Sequence, residues 1–250
     1  MRVPPEISVI VPMFNEADNV GPMVEQVFAA LRNEPRPFEL VLVDDASTDG
    51  TWEKIVAAGK VEPRVRGLRH GRNAGQSAAL WTGFRHSNSP ILVTLDGDLQ
   101  NDPADFPALL AELKEWDLVC GMRTKRQDNW LRRISSAIAR KARSALLGVD
   151  FRDTGCGLRA FKRPVLEGLF EFNGFHRFMP VLAHSTGARV LEIPVNHRPR
   201  VAGVSKYGMW NRLGRGIMDL YGVKWFQKRL IRKVPVTQEP QETPGNYRNI

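Results

Sequence analysis

The 250-residue chain has two cysteines, three tyrosines and no long apolar run, and these shortages exclude several classes of protein. Cys120 and Cys156 fall in no C-x-x-C or Cys/His spacing. Neither a disulfide framework nor a zinc module fits, and a reducing compartment is the expectation. The longest stretch free of Asp, Glu, Lys and Arg is the 12 residues 73–84, well short of the ~20 apolar residues that cross a bilayer. The apolar run Ile7 to Phe14 lacks a basic leader and a small-residue cleavage site, so it reads as a strand and not as a secretion signal. No G-x-G-x-x-G, G-x-x-x-x-G-K-[S/T] or G-x-S-x-G motif occurs, which disfavours dinucleotide, P-loop and serine-hydrolase readings.

Hydrophobic residues make up 42% of the chain and charged residues 25%, an ordinary globular balance for one large domain or a domain with an appendage. A chain of this length buries roughly 70–75% of its unfolded surface, enough for a core without staples. The net charge is +9 and the isoelectric point near 9.9. Arg123 to Arg143 carries +7 and Arg198 to Lys233 carries +9, which leaves the remainder of the chain at −7. Acids early and bases late point to an anionic partner: phosphates, a membrane surface or nucleic acid. A solvated face is the plain alternative for either basic run.

Short β-branched strands alternate with amphipathic segments over the first 125 residues. Strands are predicted at Ile7 to Val11, Phe38 to Val43, Val65 to Leu68, Ile91 to Leu95 and Asp117 to Gly121. Helices are predicted at Val20 to Leu31, after Gly50, at Gly75 to Phe84 and from Pro103 to Glu115. This is the pattern of an α/β fold with a mostly parallel sheet covered on both faces. Ligands of such sheets bind at the carboxyl ends of the strands, and three of those ends carry Asn15-Glu16, Asp44-Asp45 and Asp96-Gly97-Asp98. Beyond residue 125 a basic helix is predicted at Trp130 to Leu147, then a looser glycine-punctuated region with a strand at Arg189 to Val195. Gly208 to Lys233 is predicted as a helix with Trp210, Leu213, Ile217, Leu220, Tyr221 and Trp225 along one stripe, and residues 235–250 as a disordered tail.

Two carboxylates at i and i+2 around a small residue, in a turn after a buried strand, can share one Mg²⁺ or Mn²⁺ and leave positions open for diphosphate oxygens. Asp96 and Asp98 have that spacing, whereas Asp102 before Pro103 reads as a helix cap. An acid at a strand end such as Asp44 or Asp45 can accept from base N–H or ribose hydroxyls. Val11-Pro-Met-Phe-Asn-Glu16, Val43-Asp-Asp-Ala-Ser-Thr-Asp-Gly-Thr51, Asn73-Ala-Gly-Gln-Ser-Ala-Ala-Leu80 and Leu95-Asp-Gly-Asp-Leu-Gln-Asn-Asp-Pro103 together resemble family 2 glycosyltransferases, which have the GT-A fold. Asp153-Thr-Gly-Cys-Gly-Leu-Arg-Ala-Phe161 and His197-Arg-Pro-Arg-Val-Ala-Gly-Val-Ser-Lys-Tyr207 resemble the dolichol-phosphate mannosyltransferase branch, which transfers sugars to polyprenyl phosphates.

The resemblance implies that Pro12, Phe14, Glu16, Val43, Asp44, Asp45, Asp96 and Gly97 surround the donor nucleotide, with Phe14 in place of the commoner Tyr and Gly97 where Ala is usual. It implies that Asp96, Asp98 and Gln100 hold Mg²⁺ or Mn²⁺, with Asp98 and Arg123 catalytic. Arg123, Arg132, Arg133, Asp153, Arg159, Arg200, Ser205 and Lys206 fall to the acceptor and its phosphate; a solvated helix face for Arg132 and Arg133, and an ion pair for Asp153 and Arg159, are the alternatives. Cys156 reads as a packing residue.

The expected activity is an inverting transfer of a sugar from GDP-mannose or a UDP-sugar to polyprenyl phosphate. A phosphate acceptor is already anionic and needs no general base, and the chain has no Glu-Asp dipeptide and no Q-x-x-R-W. A hydroxyl acceptor on a soluble glycan or protein is the alternative, and a non-catalytic nucleic-acid or phosphate-binding module a remote one that leaves the acidic motifs without purpose. The expected organisation is a GT-A domain over 1–207, a basic amphipathic segment over 208–234 and the tail. That basic segment suits peripheral contact with the cytosolic face of a membrane, in a cell-envelope pathway and without nucleic acid.

Overall fold

The run Ile7-Ser-Val-Ile-Val-Pro-Met13 forms β1, buried along all but Pro12, and it is the hub of the sheet. The computed structural model describes residues 3–123, 140–141, 143–198 and 209–231. β1 lies between β2 (Phe38–Asp44) and β4 (Ile91–Thr94), parallel to both. β3 (Val65–Arg69) adds in parallel outside β2. On the other side follow β6 (Arg159–Lys162), β5 (Leu118–Arg123) and β7 (Val190–Val195), so the seven strands run in the order β3-β2-β1-β4-β6-β5-β7. β6 is antiparallel to both neighbours, with Thr94 opposite Arg159 and Cys120 opposite Arg159. It was not expected from the sequence. Its reversal delivers the segment before Arg159 to the carboxyl end of β4.

The helices cover both faces, as continuous apolar strands require. On one face α1 (Ala17–Ala30), α2 (Thr51–Val61) and α4 (Phe106–Glu112) bury Met23, Val27, Ile55, Phe106 and Leu109 against the sheet. On the other, α3 (Gln76–Arg85), α5 (Met179–Ser185) and the C-terminal α6 (Met209–Arg229) close over Leu80, Phe84, Phe161, Phe175 and Leu182. The helix expected from Pro103 onward divides into a 3-10 turn, Pro103–Asp105, and α4. Asp102 caps it as expected, accepting from Ala104 N at 3.0 Å.

The single stripe expected on α6 is corrected. Val223 is buried, with Leu220 and Phe226 packed beside it, while Ile217, Met218, Tyr221 and Trp225 are exposed. The helix is apolar on two faces, and the one that carries Leu220, Val223 and Phe226 packs on the core. Residues 140–141 and 143–147 are helical; the remainder of the helix expected at Trp130 to Leu147, the tail from 235, and the side chains of Trp210 and Leu213 lie outside what is described.

Candidate functional site

Three strand ends carry a residue with positive φ that is not glycine: Asn15 (52°) after β1, Ala46 (59°) after β2 and Leu99 (58°) after β4. Such backbone conformations persist only where surrounding bonds hold them, and they gather at sites. Here the first two turns are stitched together. Asn15 N donates to Ser47 Oγ at 2.9 Å and Thr48 N donates to Asn15 Oδ1 at 2.9 Å. Glu16 N donates to Thr51 Oγ1 at 2.9 Å, and Asp49 accepts from Ala17 N at 3.1 Å and Thr51 N at 3.1 Å. Asp49 thus ties the starts of α1 and α2 to one carboxylate; burial pushes that carboxyl up, but the Thr51 hydroxyl and then these amides outweigh it and hold it below its ordinary pKa.

Above these turns opens a cavity of about 240 Å³ where β1 passes between β2 and β4, the switch point at which such sheets bind ligands. β1 contributes Pro12, Met13, Phe14 and Glu16; β2 contributes Asp45; β4 contributes Asp96, Gly97 and Asp98; and the start of α3 contributes Asn73, Gly75, Gln76 and Ala79. The structure therefore brings Pro12, Phe14, Glu16, Asp45, Asp96, Gly97 and Asp98 together around one cavity. Val43 and Asp44 are not among the lining residues. Both are fully buried beneath the turn, where Asp44 accepts from Ser47 N at 3.0 Å and pairs with Arg69 Nε at 3.1 Å. Gln100 also lies off the lining: its N donates to Asp98 Oδ1 at 3.2 Å and its carbonyl accepts from Arg198 N at 2.8 Å.

Asp96 is held by two side-chain amides. Gln76 Nε2 donates to its Oδ1 at 2.8 Å and Asn101 Nδ2 to its Oδ2 at 3.3 Å. Burial, and then the charge of Asp98, raise its carboxyl above the ordinary range; the Arg159 and Arg123 guanidinium groups and Asn101 pull the other way. Two acids lining one cavity are an oxygen-only donor set that a hard divalent cation satisfies. Among the described residues no group of three or more His, Cys, Asp and Glu forms a complete metal cage. A cation here would need ligand oxygens to complete its shell, as Mg²⁺ does with substrate phosphates.

The segment 151–158 leans on the cavity from the β6 side. Arg123, at the end of β5, grips Asp153 through Nε at 2.7 Å, Nη2 at 2.8 Å and its backbone N at 3.1 Å. Glu192 on β7 accepts from Arg152 N and Asp153 N at 2.7 and 2.8 Å. Arg143 donates to Thr154 Oγ1 and to the Phe151 carbonyl. Buried Arg159 donates to the Thr154 carbonyl at 2.9 Å, with no hydrogen-bond partner for its Nε among the described residues. The ion pair of Asp153 is thus with Arg123 and not with Arg159. Cys156 packs under this loop, its Sγ 3.7 Å from Asn101 Oδ1, and burial pushes its thiol up to about 11, which suits packing and not nucleophilic attack. Arg132, Arg133, Arg200, Ser205 and Lys206 lie outside the described residues.

Sequence reasoning assigned no role to Gln76, Asn101, His70 or Gly157. Gln76 lay in plain view within the Asn73 to Leu80 motif, but its partner is 20 positions away. Such pairings leave no periodicity to read.

Comparison with known proteins agrees with this geometry. A profile of glycosyl transferase family 2 matches residues 8–170. Dodecaprenyl-phosphate galacturonate synthase of Rhizobium johnstonii is 40% identical over 235 residues, covering 91% of this chain and 69% of that protein. Undecaprenyl-phosphate 4-deoxy-4-formamido-L-arabinose transferase of Aeromonas hydrophila is 37% identical over 205 residues, covering 81% of this chain and 63% of that protein. Among solved structures, glucosyl-3-phosphoglycerate synthase of Mycobacterium tuberculosis with Mn²⁺, UDP and glucosyl-3-phosphoglycerate superposes with a TM-score of 0.66 at 21% identity, covering 94% of this chain and 84% of that one. A mannosyltransferase from Pyrobaculum calidifontis with GDP-Man and Mn²⁺ gives 0.60 at 24%, covering 93% and 66%. At those identities the structures speak for the shared GT-A fold alone. With a profile match that runs from β1 through β6 and takes in the acidic cavity, and with relatives alike along most of its length, the chain belongs to glycosyl transferase family 2.

Proposed function

We propose that the chain transfers a sugar from a nucleotide sugar to a polyprenyl phosphate at a membrane surface, aided by a divalent cation. The observation that carries this reading is the single cavity joining the base-side residues Phe14 and Asp45 to the acidic pair Asp96 and Asp98. Both relatives named above are polyprenyl-phosphate sugar transferases, and this chain spans about two thirds of their lengths.

In this reading Pro12, Phe14 and Glu16 receive the nucleoside and Asp96 with Asp98 hold Mg²⁺ or Mn²⁺. Gln100 serves that pair through its backbone bond to Asp98. When bound, the cation neutralises charge on the departing nucleoside diphosphate. The acceptor phosphate arrives beside Arg123, whose guanidinium is fixed in orientation by Asp153 and raised in pKa chiefly by that bond. A phosphate oxygen already carries negative charge, so it attacks the anomeric carbon directly and inverts it, with no proton for the protein to remove. Arg132, Arg133, Arg159, Arg200, Ser205 and Lys206 complete this proposed acceptor side.

Among the described residues no helix is long and apolar enough to cross a membrane. The exposed face of α6, with Met218, Tyr221 and Trp225 beside Lys224, Lys228 and Arg229, instead suits a position in the interface of an anionic bilayer. The test incubates purified protein with Mn²⁺ or Mg²⁺, labelled GDP- and UDP-sugars, and liposomes with or without polyprenyl phosphate, with Asp98→Ala as control. Label entering the organic phase only with lipid phosphate, and lost in the variant, supports the reading. Donor consumption without organic product overturns the lipid acceptor in favour of a hydroxyl or water.

A further inference from the structure

We infer that Gln76 and His70 are positioning residues that act as one unit on Asp96. The inference rests on the donor and cation chemistry proposed for the cavity. Asp45 has a nearly buried side chain whose oxygens are already engaged by protein donors. Its Oδ1 accepts from His70 Nδ1 at 2.7 Å and Ala74 N at 2.8 Å, and its Oδ2 from Gly75 N at 2.7 Å. A carboxylate accepts only, so the Nδ1 of His70 carries the hydrogen. Its Nε2 lies 2.8 Å from Thr82 Oγ1, which pins the ring from α3.

The two amides held by Asp45 immediately precede α3, where the helix dipole favours a negative group. Gly75 sits at φ 89°, a conformation that a side chain would resist, and ends the clamped segment. The next residue is Gln76, and its Nε2 reaches Asp96 Oδ1 at 2.8 Å. A continuous path therefore runs from Thr82 and His70 through Asp45 and the backbone of 74–75 to Gln76 and Asp96. It crosses from the base side of the cavity to its acidic side. Gln76 fixes which way the Asp96 carboxylate faces, and His70 fixes where Gln76 starts.

Removing a group that orients a metal-binding carboxylate typically weakens metal affinity about ten- to a hundredfold. The test reads Mn²⁺ binding by the electron paramagnetic resonance of the free ion, on the full chain with saturating GDP or UDP. A thermal melt of every variant accompanies it. Gln76→Ala and His70→Ala are each expected to weaken Mn²⁺ binding by roughly tenfold or more, and the double variant by no more than the worse single, because one path is cut twice. His70→Asn, whose amide nitrogen overlies Nδ1, is expected to restore binding. If His70→Ala does not fold, Thr82→Val replaces it in the cycle. Unchanged Mn²⁺ affinity in Gln76→Ala, or effects that multiply in the double variant, overturns the inference. A wild-type chain that takes up no Mn²⁺ with either nucleotide overturns the cation reading itself and this inference with it, an outcome recognisable without any variant.

Discussion

A Cβ built on Gly157 would lie 2.3 Å from the carboxyl carbon and both oxygens of Asp96. The acid therefore occupies the space that a side chain at 157 would fill, and the loop before β6 forms one wall of its seat. Gly157 is fixed in turn by its carbonyl, which accepts from Thr94 Oγ1 at 2.7 Å. Displacing a reacting group by ~1 Å can cost about a hundredfold in rate. Gly157→Ala is expected to lose at least that in turnover of donor sugar while still folding. Wild-type turnover would show that Asp96 does not depend on this contact.

Gly97 faces a similar limit. A Cβ there would come within 2.7 Å of both the Pro12 carbonyl oxygen and Met13 Sδ. The thioether can move, but the carbonyl belongs to β1 and cannot. The resemblance to relatives with alanine at this place makes Gly97→Ala a conservative-looking change, yet overpacking of this kind costs about 1–3 kcal/mol. Denaturant melts should show the loss. A neutral result would mean that β1 yields at Pro12.

Arg123 and Asp153 form a fork of two side-chain bonds, with side-chain exposures of 18% and 7%. Removing either partner leaves the other charge poorly solvated, so Asp153→Ala and Arg123→Ala should each destabilise. A double-variant cycle should return a coupling of about 1–3 kcal/mol, within the usual range for contacting residues. Additive effects would mean that the pair orients Arg123 without adding stability.

His176 predicts a pH dependence. Ser77 Oγ accepts from Gly174 N at 2.8 Å and shares a hydrogen bond with His176 Nδ1, also at 2.8 Å. Burial, then the charges of Arg159 and Arg177, push the ring down to about 3, so it is neutral in the folded chain near pH 7. The unfolded chain binds a proton near pH 6.5 that the folded chain refuses, so stability is complete above that pH and falls on acidification toward 3. The slope from this group is at most about 1.4 kcal/mol per pH unit, less to the extent that the ring's exposed edge admits water. His176→Gln should flatten the fall between pH 6 and 4, relative to wild type, in urea melts; an unchanged slope would place the proton uptake elsewhere.

The outer face of α6 makes Trp225 a reporter. Met218, Tyr221 and Trp225 are 76%, 64% and 64% exposed and sit three and four residues apart. Vesicles rich in phosphatidylglycerol should shift Trp225 emission to the blue, high salt should reverse it, and Tyr221→Ser with Met218→Ser should abolish it. The other five tryptophans require Trp225→Phe as the blank.

Much of this was legible in the sequence, for physical reasons that differ by element. β1, β2 and β4 are runs of largely branched apolar residues bounded by polar turns, and local pattern suffices for them. Asp96 and Asp98 are two positions apart, so their meeting is a local fact. β6 is four residues bounded by Arg159 and Lys162; its place between β4 and β5 is decided by tertiary pairing. Helical periodicity alone does not separate the two apolar faces of α6, because which one is covered is set by distant residues such as Phe170, whose ring lies 4.1 Å from that of Phe226. The contacts of Gln76 with Asp96 and of Gly157 with Thr94 join distant segments, and no local spacing encodes them.

The reversed strand also imposes an order on how the protein is made. Thr94 and Gly157 are 63 positions apart, and domains emerge from the ribosome at about 5–20 residues per second. For several seconds after β4 has been synthesised, the acid at its end has no wall behind it. The nascent α/β half can settle its donor-side turns early, since Asn15, Ser47 and Thr51 all precede β4. The seat of Asp96 closes only when the segment entering β6 has been made, so a chain arrested before that point would present the turns of a donor site with its chemistry still switched off.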